Sequence, residues 1–253
     1  MRYLALVGLL TACSAPGSHA TDAGDVDAPG GQHDAALDAP SDAMDGVPLV
    51  GFGELEGMCG VLADPELTGP TPVAIRVSMT FARRYQDPDD RPLLTEGGVR
   101  LLETPNAGGS SALSEAFAYE QLARCELASL LKTETEVVYD TEGAITDLLA
   151  EIDGHKIGVS VTRAFAYPPG TPYSIEAATD LLERKLAGVQ EATANVSAQD
   201  RWRKQVLAYM SWDDQSTASL DAAWAMVDPA LKGDTILVIT TTHGEDQFLY
   251  VNN

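Results

Sequence analysis

Hydrophobic spacing from residue 110 onward predicts helices alternating with strands. Ser110 or Ser111 can cap a helix in which Leu113, Phe117, Leu127 and Leu131 share one face, ending near Lys132. Three strands are predicted next, over residues 136–140, 144–151 and 156–165, the last two joined by an Asp153-Gly154 hairpin turn. A helix opening at Thr171-Pro172, a strand over 205–212, a helix over 216–226 and a buried strand over 235–241 complete the pattern. The order αβββαβαβ predicts a mixed α/β sheet flanked by helices, and residues 73–80 form a further candidate strand.

The N-terminus has the pattern of an export signal. Tyr3 to Leu10 is an apolar run of 8 residues, whereas a membrane-spanning helix takes about 20. The closing Leu10-Thr11-Ala12-Cys13 resembles a bacterial lipobox. That resemblance implies a signal peptide over residues 1–12 and a lipidated Cys13 that attaches the protein to the cell envelope. Ser14 in place of aspartate points to the outer membrane; an ordinary signal peptide containing a cysteine is the alternative.

Residues 13–47 have the composition of a disordered tether. Seven aspartates and no Lys or Arg stand among Ala, Gly, Pro and Ser, so little apolar surface offsets the entropy of ordering the chain. Calcium binding is the competing interpretation, because the acids from Asp22 to Asp27 alternate with Gly and Val. The later spacing drifts and no glutamate closes a loop, which favours a plain stalk.

Charge and cysteine content constrain the remainder, which we divide into an N-terminal extension over 48–109 and a core over 110–253. The chain carries a net charge of −22, of which about −16 falls from Pro48 onward. Such an acidic surface repels the phosphates of nucleic acids, so we do not expect nucleic acid as a partner. Cys59 and Cys125 can pair in an oxidising envelope, although a buried free thiol at Cys125 is equally compatible with the pattern.

The element order over about residues 110–242 resembles the PD-(D/E)xK, or restriction-endonuclease-like, family. In that family an aspartate on the second strand and an acid-x-lysine motif on the third hold a divalent metal and water beside a phosphate. Asp147 matches the aspartate, while Ser160 and Thr162 occupy the acid-x-lysine positions. A family variant implies Glu176 as the replacement for the third-strand acid, and Glu120 as an additional acid on the first helix. Thr162 departs from the lysine and can neither carry charge nor accept a proton near neutral pH.

Three functional hypotheses follow. The first is a lipid-anchored envelope protein whose nuclease-like domain serves as a non-catalytic binding or structural module, with no cofactor and an unidentified envelope protein or ligand as partner. The second is a phosphodiester hydrolase that uses Mg²⁺ or Mn²⁺ held by Asp147 and Glu176. The third is an unrelated α/β lipoprotein that binds a ligand or a protein. A local basic-aromatic cluster around Trp202, formed with Arg201, Arg203 and Lys204, could contact a partner or a lipid headgroup, although solvated helix surface is the simpler interpretation.

Overall fold

The computed structural model describes residues 46–105, 111–168 and 170–251. The predicted signal peptide, Cys13 and all but the last two residues of the predicted tether lie outside them. The eight strands are β1 Val47–Leu49, β2 Gly53–Gly57, β3 Val73–Phe81, β4 Ser129–Thr133, β5 Leu148–Ile152, β6 His155–Ala164, β7 Lys204–Ser211 and β8 Ile236–Gly244. The helices are α1 Asp64–Thr68, α2 Glu96–Glu103, α3 Ala112–Cys125, α4 Ile175–Asn195, α5 Asp214–Met226 and α6 Pro229–Lys232.

All eight strands form one mixed sheet in the order β1-β2-β3-β8-β7-β6-β5-β4. The four central strands β3, β8, β7 and β6 run parallel, and antiparallel strands close both edges. Every residue of β7 is buried, including Lys204 and Gln205. The first seven residues of β8 are buried as well, as its continuous apolar and β-branched sequence predicts. The mixed α/β class and the order αβββαβαβ are therefore confirmed.

Helices cover both faces of the sheet. On one face, α3 packs over alternate residues of β6 such as Val159 and Val161, with an aromatic cluster around Phe117. On the other face, α4 and α5 pack over the intervening residues, among them Ala164 and Leu207. Strand alternation thus assigns each neighbouring residue pair of β6 to opposite layers. Within the described residues, no helix is both long and apolar enough to cross a membrane.

The N-terminal extension belongs to the same sheet as the core. Strand β3 pairs with β8 along nine positions, from Val73 opposite Ile236 to Phe81 opposite Gly244. Val47, the last residue of the predicted tether, already pairs with Leu55 in β1 and β2. Residues 48–109 therefore contribute β2, β3 and most of β1 to the same sheet as the core.

The helix predicted to end near Lys132 ends at Cys125, so that part of the prediction is wrong. Leu127 adopts a positive φ of 54°, which turns the chain, and Lys132 lies in β4. Glu126 explains the early stop, because its carboxylate accepts hydrogen bonds from the amides of Gly60 and Leu62 at 3.0 and 2.8 Å. The strand predicted over 136–140 is absent from the described sheet; β4 takes its place as the first strand of the meander.

A disulfide joins Cys59 to Cys125 beside this turn. The sequence left two states open for these cysteines, a disulfide and a buried thiol, and the structure has the bonded form. The bridge spans 66 residues along the chain and connects the loop after β2 to the end of α3. Closing a loop of this length restricts the unfolded chain and stabilises the fold by about 4 kcal/mol.

Candidate functional site

Asp147 lies immediately before β5, at a small cavity. The cavity is lined by side chains from α2, α3 and the turn after β4, including Glu115, Thr133 and Glu134. The Asp147 carboxylate accepts a hydrogen bond from the backbone N–H of Val161 at 2.6 Å. Burial and the negative charge of Glu115 raise the pKa of Asp147 to about 7, although the Val161 bond opposes this shift. The group therefore exchanges a proton near neutral pH.

The sequence analysis missed two acids that line this cavity, Glu134 and Glu115. Glu115 is the one whose charge acts more strongly on Asp147. It sits in the first turn of α3 and is buried, and it lines the same cavity as Asp147. Acids are common in the first turns of helices because they interact favourably with the helix dipole. An acid in the first turn of a helix is common, and the sequence has no other feature that distinguishes Glu115 from a solvent-exposed acid at such a position.

Ser160 and Thr162 are not brought to the Asp147 cavity. Val159 and Val161 pack in the core beneath α3, so the alternate residues Ser160 and Thr162 belong to the layer of α4. On the α3 face of β6, the acid-x-lysine spacing falls instead on Val161 and Arg163. A shift of one residue moves a side chain across the sheet, and this register was not visible in the sequence.

Arg163 is held by the C-terminal segment. Its guanidinium donates to the carbonyl oxygens of Leu249 and Tyr250 at 3.3 and 3.5 Å. The cation at the lysine-equivalent position on this face therefore donates its hydrogen bonds to main-chain acceptors, and a guanidinium is a poor base.

Glu176 lies exposed in the first turn of α4 and does not line the Asp147 cavity. Its own backbone N–H and the Ser174 hydroxyl lower the pKa of its carboxyl group. Ser174 caps the same helix end by accepting a hydrogen bond from the N–H of Ala177 at 3.2 Å. Glu176 is therefore part of a helix terminus and is separate from Asp147.

Glu120 has a structural role in the position of α2. Its fully buried carboxylate accepts hydrogen bonds from the Thr95 amide and hydroxyl at 2.7 and 2.6 Å, and pairs with Arg124 at 2.8 Å. Thr95 is the N-cap of α2, so Glu120 attaches the start of α2 to the middle of α3. All of its strong acceptor sites on Oε1 and Oε2 are engaged within the protein.

The predicted residues do not fit a Mg²⁺ or Mn²⁺ centre. Hard divalent cations need several oxygen ligands directed at one point. Among the residues that the structure describes, no group of three or more His, Cys, Asp or Glu side chains has such an arrangement. Glu115, Glu134 and Asp147 line one cavity without forming such an arrangement, and the Val161 amide occupies one oxygen of Asp147.

The basic-aromatic cluster around Trp202 is largely internal. Trp202 is buried and its indole N–H donates to the Thr193 hydroxyl at 2.9 Å. Lys204 is also buried, and its ammonium donates to the carbonyl oxygens of Glu66, Gly69 and Thr71 at 2.8 to 3.1 Å. These two residues connect parts of the fold and are not available to a partner or a lipid headgroup.

Comparisons with known proteins give limited matches. No family model matches the chain. It is 44% identical over 121 residues to the AAC-rich mRNA clone AAC4 protein of Dictyostelium discoideum, covering 46% of this chain and 18% of that protein. The chain thus spans less than a fifth of that relative. Among solved structures, Pyrococcus furiosus SfsA in complex with Ca²⁺ aligns with a TM-score of 0.27 and 14% identity, over 52% of this chain and 55% of SfsA. A similarity this low supports no inference about this chain.

Proposed function

We propose that the protein is a lipid-anchored component of the bacterial cell envelope, and that its α/β domain is a non-catalytic binding or structural module on a nuclease-like scaffold. The element order αβββαβαβ supports the scaffold, and Leu10-Thr11-Ala12-Cys13 supports the anchor. One observation carries the non-catalytic part: the Val161 N–H donates to Asp147 at the position where the resemblance requires a metal. On this proposal, residues at the positions implied by the family resemblance, such as Glu120 and Arg163, stabilise the fold through their bonds within the protein.

A cleavage assay tests the catalytic part of this proposal. Wild type and the Asp147→Ala and Glu115→Ala variants are incubated with labelled single- and double-stranded DNA and RNA, with Mg²⁺ or Mn²⁺. We expect no cleavage by any of them, because the described residues contain no group of three or more ligating side chains that could hold a metal. Wild-type cleavage that both substitutions abolish would overturn the proposal.

Fatty-acid labelling tests the anchor. Cys13→Ala should remove the label and release the protein from the membrane fraction, because the lipid is attached through the Cys13 sulfur and amine. Cys59→Ala is the matched control and should retain the label. Equal labelling of wild type and Cys13→Ala would exclude lipidation at this residue.

A metal-dependent phosphodiester hydrolase is the second candidate function. Its specific support is the pairing of Asp147 with Glu115 in one cavity and the Asp147 pKa of about 7, since perturbed acids cluster at functional sites. On this hypothesis Glu115, and not Glu176, supplies the second carboxylate. Glu176→Ala should then leave cleavage unchanged while Glu115→Ala abolishes it, which separates this site from the one implied by the family variant.

A further inference from the structure

A cleft of about 240 Å³ opens at the carboxyl ends of β6 and β7, away from the Asp147 cavity. Phe165 follows β6, Trp212 and Asp213 follow β7, and Thr171 and Pro172 precede α4; all five line the cleft. Ligands of open α/β sheets bind outside the carboxyl ends of the parallel strands. The position of the cleft is therefore one at which this architecture accommodates a small molecule.

The aromatic walls of the cleft are fixed in place. Phe165 and Trp212 both pack edge-on against Tyr250, with ring centroids 5.4 and 4.8 Å away. Tyr250 is buried, and its hydroxyl hydrogen-bonds to that of Thr242 at 2.8 Å. Because Phe165 and Trp212 themselves remain partly exposed, they present rigid aromatic surface to the cleft at little further loss of conformational entropy.

Asp213 is the ionisable residue among those that line the cleft. Its Oδ1 accepts the N–H of Ser216 at 2.7 Å, and no donor among the described residues bonds its other oxygen. The partial positive charge at the start of α5 is offset by Asp213 together with Asp214. The cleft lining thus combines one carboxylate with two aromatic side chains.

The charges around the cleft are mixed, with acids on the side of Trp212 and a cation on the side of Phe165. Asp214 is exposed and lies 3.7 Å from His243, while Asp246 is buried and bonded to Thr242. Arg163 is the neighbouring cation. Its guanidinium lies over the Phe165 ring, 5.9 Å from the centroid, and donates to main-chain carbonyls, so Phe165 already has a cation against its face. The net charge of about −16 from Pro48 onward further raises the local concentration of cations.

We propose that this cleft binds a small organic cation that carries a substituted ammonium group. The ammonium would contact the ring of Trp212, and the free oxygen of Asp213 would balance its charge, while Phe165 would supply apolar surface. Aromatic faces attract cations through the ring quadrupole, and the attraction strengthens when the contact is desolvated. The proposal concerns a site separate from the Asp147 cavity, and it does not depend on the anchor or on the catalytic state of the domain.

Choline binding to the full-length chain, measured by calorimetry, tests the proposal. The uncharged isostere 3,3-dimethylbutan-1-ol has the same shape and should bind at least about tenfold more weakly, because it lacks the cation. Asp213→Asn should weaken choline binding by a similar factor, since asparagine keeps the helix cap but removes the charge. Asp214→Asn, on the same turn but outside the cleft lining, should change the affinity less than about twofold.

Circular dichroism verifies that both variants are folded, and Trp212→Leu provides a second route if Asp213→Asn is unstable. Loss of choline binding in Trp212→Leu with wild-type binding of Asp214→Asn supports the site. Equal binding of choline and its isostere, unchanged binding in both cleft variants, or no binding of choline at 100-fold excess over the protein would overturn it.

Discussion

Three ionisable side chains lie inside the protein, and their hydrogen-bond partners determine their roles: Asp147, Glu120 and Lys204. Glu120 and Lys204 are saturated by hydrogen bonds from or to the protein itself, so both are structural. Asp147 accepts a hydrogen bond from the Val161 N–H and lies near another acid, Glu115, which leaves its proton exchangeable near neutral pH. Residue type alone could not separate these cases, because all three depend on groups distant in the sequence.

Asp147 should make stability depend on pH. Its pKa is raised to about 7 in the folded state, against about 3.9 in an unfolded chain. Between these values the folded protein binds the extra proton, so this contribution is fully present below about pH 4 and is lost as the pH rises to about 7. Asp147→Asn keeps an oxygen acceptor for Val161 and removes the titration.

We therefore expect urea midpoints of wild type to fall more between pH 5 and pH 8 than those of Asp147→Asn. Asp180→Asn, on the exposed surface of α4, removes the same charge and serves as the control. It should follow the wild-type pH profile. An Asp147→Asn profile as steep as that of wild type would contradict the raised pKa.

Tyr209 should be replaceable by phenylalanine with a gain in stability. Its hydroxyl is buried and has no hydrogen-bond partner among the described residues. Removing the hydroxyl relieves its desolvation, so Tyr209→Phe should raise the free energy of unfolding by about 1 kcal/mol. Tyr250→Phe is the matched control, because it breaks the bond to Thr242 and should lower the same quantity by about 1 kcal/mol. Chemical denaturation measures both, and destabilisation by Tyr209→Phe would reveal an unseen partner.

At the scale of elements, short-range patterns predicted the central part of the fold well. The Asp153-Gly154 turn was predicted as a hairpin, and both residues adopt positive φ angles, 48° and 77°, between β5 and β6. The end of α3 was not predictable in this way. It depends on Glu126 and on Cys125, whose partners lie more than 60 residues earlier in the chain.

Lys204 in β7 forms hydrogen bonds to the segment between α1 and β3. We expect Lys204→Met to be strongly destabilising. The three carbonyls of Glu66, Gly69 and Thr71 would lose their charged donor in a buried environment. The free energy of unfolding should fall by about 3 kcal/mol. Lys156→Met is the control: its exposed ammonium has one bond, to Gln199, and its loss should change stability by less than about 0.5 kcal/mol. Equal effects of the two substitutions would show that the carbonyl cluster contributes little.

At the scale of the whole molecule, the eight strands of the described residues form one continuous sheet. Strand β8 lies in its middle, with β3 on one side and β7 on the other. Removing β1 to β3 would expose the full edge of β8, whose first seven residues are buried. An exposed, apolar parallel edge favours aggregation over folding.

A fragment covering residues 110–253 should consequently fail to unfold cooperatively, although the sequence pattern of the core lies within it. A fragment covering residues 46–253 retains all eight strands and should show a single sigmoidal transition. Far-ultraviolet circular dichroism during urea titration distinguishes them. A cooperative transition in the shorter fragment would show that residues 48–109 are an accessory to an independent core.

The sequence by itself determined the class of fold, the succession of helices and strands after residue 110, and the buried character of β8. These properties follow from local periodicity, turn residues and capping, all of which act within a few residues. Only the tertiary structure decided which residues meet. It directed Ser160 and Thr162 away from the Asp147 cavity, placed Glu115 beside Asp147, and joined β3 to β8. Side-chain convergence depends on strand register and on contacts between distant segments, and a register difference of one residue reverses the face on which a side chain lies.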